Sequence, residues 1–213
     1  MKFYTNIQQY NNVIFERYIE DGVHKQREVP YQPTLYVPTV KQSPFKTIKG
    51  ERLEPRGFNS IKEARDFIQA RNKVSNDPVY GMQQFAYAYI QEQYPTREFD
   101  VNQLNILNFD IETRSDEGFP NIREADMEIL SIALRCNGQS YILGCGEYTP
   151  SGDDKYIKCV SEADLLHKFI DLWQALDPDI VTGWNVEMFD IPYLVNRIKR
   201  RLSTEAANQL SPW

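Results

Sequence analysis

The stretch LNILNFDIET, residues 104–113, decides the fold of the second half of the chain. Its apolar residues predict a buried strand, and two carboxylates, Asp110 and Glu112, stand two positions apart within it. Because successive side chains of a strand point to opposite faces, both carboxylates share one face of the sheet. Neighbouring acids repel each other and lose hydration unless a cation joins them. Two explanations of the pair therefore have equal weight. One is a divalent-metal site, and the other is the solvent-exposed acidic end of a strand.

Downstream of this strand, strand patterns alternate with amphipathic helices. The Asn137-Gly138 dipeptide predicts a tight hairpin, and Ser161 with Asp164 forms a capping box at the start of a helix. The further strands are predicted at residues 128–135, 139–143 and 179–182, and the helices at residues 161–176 and 191–202. This order is typical of a mixed sheet flanked by helices.

The first half of the chain is rich in short alternating segments interrupted by proline, which is the pattern of strands and edge strands. Residues 12–19 and 28–37 are two such segments, and a polar stretch at 95–103 separates them from the second half. The sequence therefore predicts an α/β (α+β) protein. A β-rich N-terminal domain occupies residues 1–100, and a second domain occupies residues 101–213.

The chain has 213 residues and a formal net charge of −6, and the acidic excess lies in its second half. Residues 1–100 carry 14 basic and 12 acidic side chains, whereas residues 101–213 carry 10 and 18. This balance argues against simple electrostatic binding of nucleic acid and suits carboxylates that hold a divalent cation. Three cysteines without C-x-x-C spacing and only two histidines exclude a structural zinc site. With no apolar run of membrane-spanning or signal-peptide character, the sequence predicts a cytoplasmic protein without a membrane partner.

A second group of candidate residues lies in TGWNVEMFDIPY, residues 182–193. Asn185 and Asp190 stand at a predicted strand-to-helix junction, and Phe189 is one of several aromatic residues around them. Asp190 is either a functional carboxylate or the N-cap of the following helix. The aromatic residues either stack on bases or belong to the core. By itself, this segment leaves both interpretations open.

Taken together, FDIET and TGWNVEMFDIPYL resemble the first and second exonuclease motifs of family B DNA polymerases. The resemblance is closest to the replicative polymerases of large tailed phages of the myovirus type. Further segments resemble the N-terminal domain of those polymerases, namely ERYI (16–19), REVPYQPTL (27–35), GFNSIKEARDFI (57–68) and FAYAYIQEQY (85–94). The resemblance therefore spans the whole chain and about the first quarter of such a polymerase.

This resemblance implies a ribonuclease H-like fold for the second domain and a role in 3′→5′ proofreading of DNA. The residues that match the metal ligands of the family are Asp110, Glu112 and Asp190. They are expected to bind two Mg²⁺ or Mn²⁺ ions, which serve the hydrolysis of a phosphodiester. The implied setting is the cytoplasm of an infected bacterium.

The resemblance also implies contacts with the single-stranded 3′ end of DNA. Asn185 and Phe189 match positions that contact the terminal nucleotide or shape its pocket. Phe119 matches an aromatic residue that stacks against the bases of a frayed primer end. RNA contact through the N-terminal domain, and docking of the remaining polymerase chain or segment, are further expectations.

The chain also departs from the family pattern. The third exonuclease motif, Tyr-x-x-x-Asp, and the polymerase palm motifs are absent, so the metal site is expected to be incomplete. One alternative is a non-catalytic nucleic-acid-binding or assembly module, such as a subunit of a split polymerase. Another is a stand-alone nuclease that recruits Glu205 as its fourth carboxylate. The basic run Arg197, Lys199, Arg200 and Arg201 either contacts DNA phosphates or stabilises the end of a helix.

Overall fold

The chain divides after Gln103 into unit 1, Met1–Gln103, and unit 2, Leu104–Trp213. The computed structural model describes residues 1–74, 78–96, 98–116 and 118–213. Residue 97, within the predicted boundary segment, lies outside the described residues. Among the helices in the described part of the chain, none is long and apolar enough to cross a bilayer.

Unit 1 is β-rich, as the sequence predicts. Its strands are β1 (Lys2–Tyr10), β2 (Val13–Glu20), β3 (Val23–Pro30), β4 (Thr34–Pro38) and β5 (Leu53–Gly57), and its helices are α1 (Ile61–Val74) and α2 (Phe85–Gln93), followed by a single 3₁₀ turn at Val101–Gln103. The first three strands form one antiparallel sheet, and β4 pairs with β5 in another. The strands β1 and β5 and the helix α2 were not predicted from the sequence.

Among the described residues of unit 1, two charged side chains, Glu16 and Arg17, are buried. Glu16 is fully buried and accepts hydrogen bonds from Arg27, Tyr89 and Tyr94. Burial raises the pKa of the Glu16 carboxyl, but these three donors outweigh that effect and leave the pKa below its usual value. Glu16 therefore remains charged and ties β2 and β3 to α2 and the residue that follows it.

Unit 2 contains the predicted mixed sheet. Its elements are β6 (Ile106–Thr113), β7 (Ile129–Cys136), β8 (Gln139–Gly144), β9 (Lys155–Lys158), α3 (Glu162–Leu176), β10 (Ile180–Thr182), α4 (Asp190–Arg201) and α5 (Thr204–Asn208). The strand order is β10-β6-β7-β8-β9, with β10 parallel to β6, β9 parallel to β8, and antiparallel pairs between. Neither β9 nor α5 was predicted from the sequence.

Two predicted local signals are confirmed in unit 2. Asn137 and Gly138 both have positive φ, at 49° and 81°, as a tight β7–β8 hairpin requires. The Ser161 side chain accepts a hydrogen bond from the Asp164 amide at the start of α3, and the Asp164 carboxylate accepts one from the Val160 amide. These contacts fix where β7 turns and where α3 begins.

The core of unit 2 lies on one face of its sheet. Leu107, Phe109 and Ile111 of β6 are buried there with residues of both long helices. Phe169 of α3 and Tyr193 of α4 are fully buried among them. The opposite face of β6, including Asp110 and Glu112, is exposed.

Candidate functional site

The two carboxylates of β6 stand on the open face of the sheet. Burial alternates along the strand, so that Asn108, Asp110 and Glu112 are exposed while the intervening residues are buried. This confirms the predicted common face of Asp110 and Glu112. Their partners on β7 are small, since Ala133 is opposite Asp110 and Ser131 is opposite Glu112. Neither partner side chain is long enough to cover the carboxylate opposite it, and both carboxylates are exposed.

A cleft of about 360 Å³ opens beside Asp110 on this face. Its lining includes Asn108, Arg135, Asp154 and the exposed Trp184. The Arg135 guanidinium donates to the Ser140 hydroxyl at 3.3 Å, which holds it across the β7–β8 pair. Side chains of both positive and negative charge therefore line the space next to Asp110.

Asp190 lies at the edge of β6 and not on its open face. It is the first residue of α4 and only 4% exposed, and Oδ1 accepts a hydrogen bond from the Ile111 amide at 3.2 Å. The parallel pairing with β10 ends at Thr182, opposite Asn108, so no strand residue pairs with Ile111 on that side. The Asp190 carboxylate takes the place of the missing strand by accepting this bond. Its donor, Ile111, stands between Asp110 and Glu112 in the sequence.

The N-cap interpretation of Asp190 is therefore not what the structure shows. The N-cap position belongs to Phe189, and Asp190 uses its side chain to reach β6. Burial raises the pKa of the Asp190 carboxyl, and the nearby negative charge of Asp110 raises it further, against backbone donors that lower it. A cation between Asp110 and Asp190 would relieve both effects.

The turn between β10 and α4 is shaped by two residues. At Gly183, a Cβ atom would lie 2.4 Å from the Phe109 carbonyl oxygen, so only glycine fits against β6. Asn185 has φ +56°, and its carbonyl accepts hydrogen bonds from the Met188 and Phe189 amides, each at 3.0 Å. Asparagine tolerates this left-handed conformation. Asn185 thus builds the turn, a role that the sequence analysis missed.

The three predicted aromatic and amide positions are only partly brought together. Phe119 is 81% exposed and packs against Phe189, with ring centroids 5.1 Å apart. Phe189 in turn stacks on Tyr193 at 5.5 Å. Asn185 is exposed at the start of the same turn that carries Phe189. One face of Phe119 remains free to stack against a flat ligand.

The donor atoms present suit a hard divalent cation. Asp110, Glu112 and Asp190 offer only carboxylate oxygens, which Mg²⁺ and Mn²⁺ prefer. Within the described residues, however, no three His, Cys, Asp or Glu side chains stand close enough to hold a metal ion as they are. The three carboxylates suit such a cation chemically. They lie in two places, however, since Asp110 and Glu112 are on the open face of the sheet and Asp190 is at the edge of β6.

Other candidate residues lie away from this site. Glu205 is in the first turn of α5, beyond the C-terminal end of α4, whereas Asp190 is at the N-terminal end. Twelve helical residues separate the two ends by about 18 Å. In the basic run, Arg197 and Arg201 pair with Glu162, and Arg200 donates to the Glu124 carbonyl. Three of its four side chains therefore have partners within unit 2.

Comparison with known proteins relates this sequence to DNA polymerases. The sequence model described as "DNA polymerase family B, exonuclease domain" matches residues 51–211. The DNA-directed DNA polymerase of Enterobacteria phage T4 is 31% identical over an alignment of 241 residues, which covers 99% of this chain and 27% of that protein.

Two further relatives extend this comparison. The DNA-directed DNA polymerase of Escherichia phage RB69 is 30% identical over 248 residues, with the same two coverages of 99% and 27%. The DNA polymerase delta catalytic subunit of Caenorhabditis elegans is 31% identical over 105 residues, or 46% of this chain and 10% of that protein. The chain thus spans 27% of the length of the two phage relatives.

Proposed function

Since this chain belongs to the exonuclease-domain family of family B DNA polymerases, of the phage type, we propose that unit 2 contributes to two-metal 3′→5′ hydrolysis of DNA ends. In this proposal the chain is the N-terminal and exonuclease portion of a replicative DNA-directed DNA polymerase. Its substrate is a single-stranded 3′ end, and its setting is the cytoplasm of a phage-infected bacterium. The supporting observation is the bond from the Ile111 amide to Asp190, which brings the third carboxylate to the strand that carries the other two.

The metal ligands in this proposal are Asp110, Glu112 and Asp190, and the ions are Mg²⁺ or Mn²⁺. Bound ions would supply Lewis acidity and an activated water for phosphodiester hydrolysis. The chain itself contributes placement. The alternation of β6 presents Asp110 and Glu112 on one face, and α4 holds Asp190 at the edge of the same strand.

The substrate contacts in this proposal are Phe119, Phe189 and Asn185. The exposed ring of Phe119 stacks on a base near the 3′ end, and Phe189 packs against Phe119 with the two rings tilted by 48°. Stacking of a base on an aromatic ring requires no particular base, which suits an enzyme that acts on any terminal nucleotide. Asn185 borders the pocket of the terminal nucleotide and fixes the turn that carries Phe189.

A 5′-labelled single-stranded oligonucleotide tests this function directly. We expect stepwise shortening with Mn²⁺ or Mg²⁺, and none after chelation or in Asp110→Ala. Mn²⁺ binding, measured by electron paramagnetic resonance, is expected to be lost in the same variant. Glu205→Gln removes an exposed carboxylate at the far end of α4 and serves as the matched control. The proposal would be refuted if the wild type neither shortens the oligonucleotide nor binds Mn²⁺ in a way that depends on Asp110.

A second candidate function is nucleic-acid binding, or docking of the remaining polymerase chain, without catalysis. The observation that favours it is a group of cationic and aromatic side chains on unit 1. The Lys2 ammonium lies 4.4 Å from the centroid of the Tyr18 ring, and the Arg27 guanidinium lies 5.3 Å from it. Cations beside an aromatic face are a common means of binding single strands, including RNA.

Binding measured in EDTA separates the two functions. If unit 1 binds nucleic acid, fluorescence anisotropy with RNA and DNA oligonucleotides will show affinity that survives chelation and Asp110→Ala but falls in Lys2→Ala. If the carboxylate site dominates, affinity for DNA will depend on the divalent ion and will be unchanged in Lys2→Ala.

A further inference from the structure

Helix α4 carries Asp190 at its start, and one of its faces binds the connection between β6 and β7. Tyr193, Asn196, Arg197 and Arg200 follow the spacing of a single helical face. All four donate hydrogen bonds to main-chain carbonyls of residues 122–127. The acceptors are Met127 (2.7 Å) for Tyr193, Ile122 (2.9 Å) for Asn196, Ala125 (2.9 Å) and Asp126 (2.7 Å) for Arg197, and Glu124 (2.8 Å) for Arg200.

The segment held in this way adjoins Phe119 and has an unfavourable backbone conformation. Ala125 is fully buried and has φ +43°, a region that non-glycine residues rarely adopt. Such a conformation persists only where the surroundings impose it. Arg197 donates to the Ala125 carbonyl itself, so this side chain is one of the groups that impose it.

Arg197 is the centre of the contact because it is itself fixed. Its Nε and one terminal nitrogen donate to the two carboxylate oxygens of Glu162, both at 2.7 Å, and the two residues are 5% and 6% exposed. Glu162 also accepts the Ile129 amide at 2.8 Å, at the first residue of β7. The pair therefore fixes the end of the connection at β7 as well as its middle.

A buried ion pair is weak support for stability, since apolar residues of similar volume often replace one without loss. The Arg197–Glu162 pair instead orients the main chain that its two side chains contact, at Ala125, Asp126 and Ile129. We propose that Arg197, held by Glu162, is a positioning residue that sets the segment carrying Phe119 relative to Asp190 on the same helix. This inference rests on the proposed function, because it assigns Phe119 to the DNA 3′ end.

The test is a double-mutant cycle between Arg197→Met and Phe119→Ala. A 3′-terminal 2-aminopurine in a single-stranded oligonucleotide reports stacking, and anisotropy with Ca²⁺ reports affinity. Each single variant is expected to weaken binding about tenfold, the effect of losing one stacked base. Because Arg197 acts through Phe119, the double variant is expected to bind no more weakly than Phe119→Ala alone. Additive losses, or wild-type affinity in Arg197→Met, would overturn the inference.

Hydrogen exchange provides a readout that does not depend on DNA. In Arg197→Met, amides of residues 118–127 are expected to exchange at least about tenfold faster, while those of β6 and α3 keep their protection. Asn196→Ala removes one bond to the same segment and serves if Arg197→Met does not fold. Lys199→Met, on the exposed surface of the same helix, is the matched control. Unchanged exchange of residues 118–127 in both Arg197→Met and Asn196→Ala would also overturn the inference.

The two proposals fail in different ways. If the proposed function is wrong, neither Phe119→Ala nor metal affects binding of the oligonucleotide, whatever the exchange data show. If only the positioning role is wrong, Phe119→Ala weakens binding of the oligonucleotide, while Arg197→Met and Asn196→Ala bind it and exchange their amides like the wild type.

Discussion

At the scale of single residues, Asp190 contacts the backbone of β6 and is also a proposed ligand of the candidate metal site. Its carboxylate satisfies the Ile111 amide, and its burial beside Asp110 raises its pKa. An amide side chain also offers an oxygen to the Ile111 amide but carries no charge. Replacing Asp190 by asparagine therefore separates the structural role from the electrostatic one.

The Asp190→Asn variant is expected to be more stable than the wild type at pH 7 without divalent metal. A raised folded-state pKa means that the wild type loses stability as the pH rises from about 4, the usual Asp value, through the folded-state pKa. The difference in unfolding free energy between the two proteins should therefore disappear when the pH falls below about 4. Urea unfolding across pH 3–7 measures it, with exposed Asp171→Asn as control.

Added Mg²⁺ is expected to narrow the same gap at pH 7, because only the wild type keeps all three carboxylates. A wild type that is more stable than Asp190→Asn, with a gap that widens as the pH rises, would contradict this account of Asp190.

Residue types and spacing predict only part of this site. The common face of Asp110 and Glu112 follows from strand periodicity alone, and the structure confirms it. The burial of Asp190 depends on the Ile111 amide, 79 positions away, and on the early end of a neighbouring strand. No local pattern encodes that contact. The glycine and asparagine after Thr182 were the available signal for the turn at Asn185.

At the scale of elements, the junction between β10 and β6 depends on Gly183. Gly183→Ala is expected to push the turn away from β6 because its Cβ would meet the Phe109 carbonyl at 2.4 Å. The expected loss of stability is about 1–3 kcal/mol, the usual effect of overpacking. Mn²⁺ affinity should fall as well, since the same turn leads into Asp190.

Gly146→Ala is the matched control for this substitution, since a Cβ there meets nothing within 4 Å. Urea unfolding and Mn²⁺ titration of both variants provide the comparison. Equal stability and equal Mn²⁺ affinity in the two alanine variants would mean that the close approach at Gly183 does not hold the junction.

The elements that the sequence predicts are those with strong local signals. The strand β6 shows its period, and α3 begins with a capping box that the structure confirms. The strand β9 has only four residues and exists through parallel pairing with β8, and α5 is a five-residue helix packed on α4. Such elements are formed by tertiary contacts, so local propensity alone does not reveal them.

At the scale of the whole molecule, the tryptophans divide unevenly between the units. Trp173, Trp184 and Trp213 all lie in unit 2, and Trp173 packs against Phe169 in its core. Tryptophan fluorescence therefore reports on the unit that contains the candidate site, whereas circular dichroism reports on both units.

Mn²⁺ is expected to raise the unfolding midpoint detected by tryptophan fluorescence. A ligand at 100 times its dissociation constant stabilises the folded state by about 2.7 kcal/mol. Asp110→Asn should abolish the shift, and NaCl at matched ionic strength should not reproduce it. An equal shift in Asp110→Asn would place the bound ion elsewhere in the molecule.

The bond between Asp190 and Ile111 also has a consequence for the order of events in folding. The two partners are 79 positions apart, so their contact forms only after a long loop has closed. During synthesis, β6 leaves the ribosome well before α4, and its two acids remain separate from the third. The proposed binding of a cation by all three carboxylates is therefore expected to be a late event in folding, and in a stopped-flow experiment it should follow the recovery of secondary structure.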